Sequence, residues 1–81
     1  MTDSERVLLE LTPIFREVLG NRELVLSPLL TAKDVDGWDS FSHIKLIAAI
    51  EEHFHLKFRL KQIVKFRNIG DVCGAILESR S

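Results

Sequence analysis

One cysteine, one tryptophan, two prolines, four glycines and no tyrosine leave this 81-residue chain with few of the residues that staple or break up a small fold. The lone Cys73 excludes an internal disulfide and a thiolate metal cluster, and reads as a small buried helix residue. No apolar run approaches the ~20 residues of a bilayer-spanning helix. The first residues, with Asp3 and Glu5, lack the positive start and apolar centre of a signal peptide. A cytoplasmic, monomeric protein with no membrane association is therefore expected. A net charge of -1 lacks the basic excess of a nucleic-acid footprint, so no nucleic-acid partner is expected. That small net charge conceals a split: residues 1–56 carry 5 basic and 10 acidic side chains (-5), residues 57–81 carry 6 and 2 (+4).

What is present is aliphatic. Hydrophobic residues make up 46% of the chain but aromatics only 7%, and they recur at helical spacing, which points to an all-α bundle packed by Leu, Ile and Val. The length suits one domain, residues 1–81. Thr2 with Glu5 forms a capping-box signature, and Val7, Leu8, Leu11, Ile14, Phe15, Val18 and Leu19 follow at helical period until Gly20. This predicts a first helix over 3–19. Pro13 lacks the N–H that would reach the Leu9 carbonyl, so a kink, or a restart with Thr12 as local cap, is expected there.

Residues 20–39 show no sustained period and form a long connection, a feature usually functional or disordered. Leu24, Val25, Leu26, Leu29 and Leu30 favour an ordered loop pinned to the core, with one helical turn near Pro28 to Thr31. Asp39 is a suitable N-cap for a second helix from Ser40 to His53, with Leu46, Ile47, Ile50 and Phe54 facing the core. The opposite face carries Ser40, Phe41, Ile44, Lys45, Ala48 and Glu52, and apolar groups flanked by charge there suit a docking surface. Residues 55–60 alternate apolar and charged but find no partner strand, so they read as extended loop. A short third helix is expected over 61–66, burying Ile63 and Phe66. Asn68 with Asp71 caps a final helix whose inward residues are Ile69, Val72, Cys73, Ile76 and Leu77.

The turn-rich stretch Asp36-Gly37-Trp38-Asp39-Ser40-Phe41 delivers one serine to the start of the second helix. As a catalytic nucleophile Ser40 would need a base, an orienting acid and an oxyanion site; His43 lies near on the helix surface, but nothing supplies the rest. On spacing alone, Asp39 and Ser40 need do no more than start a helix. More is carried by the combination of turn, Asp-Ser, a following apolar residue and an amphipathic helix ending Glu51-Glu52-His53-Phe54.

That combination resembles the acyl carrier protein family, which includes the peptidyl carrier domains. The family's Asp-Ser followed by Leu or Met, its later apolar positions, acidic pair and closing Phe are matched by Asp39-Ser40-Phe41, Ile44, Leu46, Ile50, Glu51-Glu52 and Phe54. Phe66-Arg67-Asn68-Ile69-Gly70-Asp71-Val72 is similar to the family's entry into its last helix. The resemblance implies a four-helix carrier bundle of three main helices and one short one, with the long loop between helices one and two. It implies a 4'-phosphopantetheine arm attached to Ser40 by a phosphopantetheinyl transferase from coenzyme A, with Asp39 supporting the attachment site. The chain would then not be an enzyme. It would hold an acyl group as a thioester on the arm for acyl-loading and acyl-transferring enzymes, with the arm's phosphate beside a helix N-terminus that favours anions.

By position in the family pattern, Phe41, Ile44, Lys45, Ala48 and Glu52 would meet partners. Lys45 stands where the family is often acidic, and the C-terminal third is basic; both point to a specialised polyketide- or fatty-acid-like pathway. A peptidyl or aminoacyl carrier loaded by an adenylating enzyme, and an unmodified helical interaction module, are the alternatives.

The three histidines, His43, His53 and His55, are too dispersed to share a metal and read as solvated surface residues. Trp38 reads as a loop anchor or a stacking surface. Lys57, Arg59, Lys61, Lys65 and Arg67 form a basic set whose default is a solvated face, with an acidic partner or the phosphates of coenzyme A as the functional readings.

Overall fold

The computed structural model describes residues 2–80. Four helices appear in chain order: α1 (Asp3–Leu19), α2 (Ser40–Phe54), α3 (Leu60–Ile63) and α4 (Ile69–Arg80). Among the described residues no strand forms; Thr31 and Asn68 meet in an isolated antiparallel bridge.

Both ends of α1 follow their local chemistry. The Thr2 hydroxyl accepts from the Glu5 N–H at 3.2 Å, the Glu5 carboxylate returns to Thr2, and the Gly20 N–H closes the helix on the carbonyls of Arg16 and Glu17. Pro13 does not restart the helix. Thr12, expected as a possible local cap, instead donates its hydroxyl to the Leu8 carbonyl at 2.9 Å and stays within one continuous α1. At the end of α2, His55 takes a left-handed conformation (φ 55°) that turns the chain out of the helix.

The helical stripes meet as their periods require. Val7, Leu11 and Phe15 of α1, Leu46, Ile47 and Ile50 of α2, and Ile69, Val72, Cys73, Ala75 and Ile76 of α4 are buried together, with Phe54 and Leu77 half-buried at the margin. The connection between α1 and α2 is ordered, and half of its apolar residues do the pinning: Leu24, Leu26, Val35 and Trp38 are buried, whereas Val25 and Leu29 face solvent. Near Pro28 the chain makes a turn, closed by the Leu30 N–H on the Ser27 carbonyl at 3.1 Å, and the helical turn lies later, at Ala32–Asp34. The reason is that Asp34 accepts from both the N–H and the hydroxyl of Thr31, at 3.0 Å each, and so winds the chain just after Thr31. Upstream, Pro28 and Leu30 are held by their carbonyls, which accept from the Gly70 and Ile69 N–H groups at 2.8 and 3.0 Å.

The third helix is shorter than expected and begins one residue earlier. After Val64, whose N–H still reaches Leu60, the N–H groups of Lys65 and Phe66 bond to Gln62 and Ile63, three residues back rather than four, and the chain tightens out of the α-helix. Ile63 and Phe66 are half-buried rather than buried. The preceding extended segment is fixed by the Glu51 carboxylate, which accepts from the Phe58 N–H at 2.8 Å and seats the Phe58 ring in the core. Asn68 caps α4 through the Asp71 N–H at 2.9 Å, as the Asn-Asp spacing predicts.

Candidate functional site

The loop reaches α2 through Gly37 and Trp38. Gly37 has φ 85°, a conformation that side chains rarely tolerate, and it turns the chain so that Trp38 is buried and Asp39 meets the helix start. Asp39 is the N-cap: its Oδ1 accepts from the Ser42 N–H at 2.9 Å, while the Asp39 N–H donates to Ser42 Oγ at 2.8 Å. The buried Ser42 hydroxyl donates to the Gly37 carbonyl at 2.7 Å. Donation from the Ser42 N–H, opposed by partial desolvation and joined by the Ser42 side chain and the Phe41 N–H, holds the Asp39 carboxyl below the usual carboxylate value.

Ser40 follows as the first residue of α2. It is exposed, and its hydroxyl makes no hydrogen bond within the described residues. Beside it opens a cleft of about 540 Å³ lined by Ala32, Trp38, Asp39, Ser40, His43, Ile44, Phe66 and Arg67. Three segments meet there: the long loop, the first turns of α2 and the connection from α3 to α4. The rings make one cluster. Trp38 stands edge-on to Phe15 at 5.3 Å and stacks on His43 at 6.1 Å, and Phe66 stands edge-on to both His43 and Phe58.

His43 is not the solvated residue its position on α2 suggested. The Trp38 indole N–H donates to its Nδ1 at 3.1 Å, the ring is half-buried, and desolvation pushes its pKa below the ordinary 6.5. No acid orients it and no hydrogen bond joins it to Ser40 among the described residues, so the pieces of a hydrolytic triad are not assembled. Ser42 and Phe66 complete the site's frame and were missed as such. The Asp39-x-x-Ser42 spacing is that of a cap with its reciprocal partner and was available to find Ser42; Phe66, expected in the core, reaches the cleft through the turn after α3, which no local spacing marks.

The residues of α2 expected to meet partners are all exposed: Phe41, Ile44, Lys45, Ala48 and Glu52. Lys45 lies over the Phe41 ring at 4.6 Å, a cation–π pair at the surface. Ile44 shares the cleft with Ser40, whereas Lys45 and Glu52 border a separate groove against Ile14, Glu17 and Val18 of α1. The histidines stay apart. His53 approaches Glu10 at 3.3 Å, His55 ends α2, and no cluster of three potential metal ligands forms among the described residues. No helix of the described residues is long and apolar enough to cross a membrane.

A family model described as the phosphopantetheine attachment site matches residues 10–76. The chain belongs to the acyl carrier protein family. The solution NMR structure of a holo acyl carrier protein from Geobacter metallireducens superposes on this carrier with a TM-score of 0.85, at 40% identity over 90% of this chain and 84% of that one. Among curated proteins none matches it. The carrier is thus an α-helical bundle that takes a covalent 4'-phosphopantetheine. Its cleft suits such a group chemically: a free hydroxyl, apolar and aromatic walls, and one guanidinium, Arg67, toward a phosphodiester. The helix start favours an anion, although Asp39 already occupies the Ser42 N–H.

Proposed function

We propose that Ser40 bears the phosphopantetheine arm and that the carrier holds an acyl group there as a thioester for the enzymes of a specialised, polyketide- or fatty-acid-like pathway. The observation that carries this is the free, exposed Ser40 hydroxyl at the head of α2, beside the cleft. Within residues 10–76 the other serines are Ser27, in the loop before Pro28, and Ser42, whose buried hydroxyl is taken by Gly37. Ser40 can enter a transferase's active site without unfolding anything. Its Oγ forms one O–P bond to the phosphorus on the pantetheine side, the pyrophosphate linkage of coenzyme A breaks, adenosine 3',5'-bisphosphate leaves with the bridging oxygen, and the hydroxyl proton passes to the transferase. Asp39 supports the attachment by fixing the helix start. The arm's terminal thiol supplies the thioester chemistry, for which Cys73, buried in α4, is badly placed.

In this reading Phe41, Ile44, Lys45, Ala48 and Glu52 meet the transferase and the loading and transferring enzymes. The whole chain of residues 1–81 acts as one monomeric cytoplasmic domain without catalysis of its own. Lys45 on α2 and the cations after residue 56 support a dedicated set of partners. Intact-mass measurement after incubation with coenzyme A and a broad-specificity phosphopantetheinyl transferase tests the assignment. One phosphopantetheine is expected on the native chain and none after Ser40→Ala; an equal gain on the variant, or none on the native chain, overturns it.

A further inference from the structure

Residues 57–67 contain five cations, Lys57, Arg59, Lys61, Lys65 and Arg67, and no carboxylate. A solvated basic face would need no apolar groups among them. Yet Leu60 and Val64, four residues apart at the turn of α3, are 75% and 71% exposed, and on α2 Phe41 and Ile44 are 68% and 70% exposed. Single exposed aliphatics are ordinary; two pairs on neighbouring segments are a surface feature. The segments do meet. The His43 and Phe66 rings lie 6.4 Å apart, Glu51 Oε2 accepts from the Phe58 N–H, and Ile44, Phe66 and Arg67 line the cleft that holds Ser40.

The charge on the segment bearing Leu60 and Val64 has one sign. Lys45 covers the Phe41 ring, and the segment that carries Leu60 and Val64 carries the five cations of 57–67. The carboxylates of α2 and its cap are Asp39, engaged in capping, Glu51, engaged with Phe58, and Glu52, which borders the groove against α1.

We propose that Phe41, Ile44, Leu60 and Val64, rimmed by Lys45, Lys57 and Lys61, are a docking surface for a protein partner whose contact patch is apolar at its centre and acidic at its rim. The inference rests on the carrier reading, because the surface flanks Ser40 and must approach an enzyme whenever the arm enters one. Charge complementarity names the partner: a basic patch would be repelled by this rim, and an acidic one is steered to it. A surface that adjoins the cleft at Ile44 suits a protruding protein element better than a flat bilayer.

The test uses the ¹⁵N-labelled full-length chain. It is titrated with a synthetic amphipathic helical peptide bearing Leu and Phe on one face and Glu beside it, and with the same peptide carrying Lys for Glu. The acidic peptide is expected to shift the amides of residues 41–45 and 57–67, and the Lys peptide to shift none. Lys57→Glu with Lys61→Glu is expected to slow association about tenfold, as is raised salt. Leu60→Ala with Val64→Ala is expected to speed dissociation while leaving the salt dependence in place. Equal or tighter binding of the Lys peptide, shifts confined to other residues, or no binding of the acidic peptide overturns the proposal. So does tighter association with phosphatidylserine vesicles than with the peptide, which assigns the face to a membrane. Lys57→Gln with Lys61→Gln replaces the reversed pair if that pair unfolds. The transferase mass assay keeps the two readings apart: a gain at Ser40 without peptide binding sinks this surface alone, and peptide binding without a gain sinks the carrier reading alone.

Discussion

Ser42 and His43 stand two and three residues beyond Ser40, and both turn their polar atoms inward. Ser42 locks the loop to the helix; His43 accepts the hydrogen bond that the indole of the buried Trp38 donates. That acceptance requires an unprotonated Nδ1, and burial favours the same neutral ring. With the folded pKa below the unfolded value of about 6.5, the unfolded chain binds more protons in the interval between them. The stability contributed by His43 is therefore complete above about pH 6.5 and is lost as the pH falls toward the folded value. In an NMR titration the His43 ring is expected to show a midpoint below 6.5, with the Trp38 indole N–H resonance moving at the same pH. A midpoint at or above that value would mean a hydrated ring and no such bond.

The elements owe their placement to where the long loop is fastened. It is fastened at the head of α4, where the Gly70 N–H donates to the Pro28 carbonyl at 2.8 Å and a Cβ on Gly70 would meet that same oxygen at 3.1 Å. Relief of that contact would stretch the hydrogen bond, since one oxygen takes part in both. Gly70→Ala is expected to destabilise the fold by about 1–3 kcal/mol, the usual range for overpacking. It should be read as a lower urea midpoint at unchanged slope; an unchanged midpoint would mean that the loop gives way freely.

Across the whole molecule, stability and site share the same residues. A chain of this length typically has roughly 4–12 kcal/mol of folding stability, and truncating a buried phenylalanine removes about 3–5 kcal/mol. Phe15 is 1% exposed and touches Trp38 edge-on, so it ties α1 to the wall of the cleft. Phe15→Ala is therefore expected to remove a large part of the folding free energy, and to weaken the protection of the Trp38 indole N–H from exchange even where the chain stays folded. A loss under about 1 kcal/mol by urea unfolding would show that the core repacks around the gap.

The helices and their caps were legible because both depend on residues within four positions of one another. Thr2 with Glu5, Asp39 before Ser40, and Asn68 with Asp71 satisfy orphan N–H groups locally, and the aliphatic period says which face turns inward. The Asp-Ser-Phe motif was equally local. What lay beyond that range was decided by packing. The fastening of Pro28 and Leu30 to the head of α4 and the cleft walled by Trp38, His43 and Phe66 arise from contacts between segments far apart in sequence. His43 shows the difference most clearly: its place on α2 suggests water, and only a tryptophan fastened through the loop to Phe15 takes it out of water. A single side chain's position on its helix says which way it points, but the dielectric around it and the neighbours it meets belong to the assembled fold.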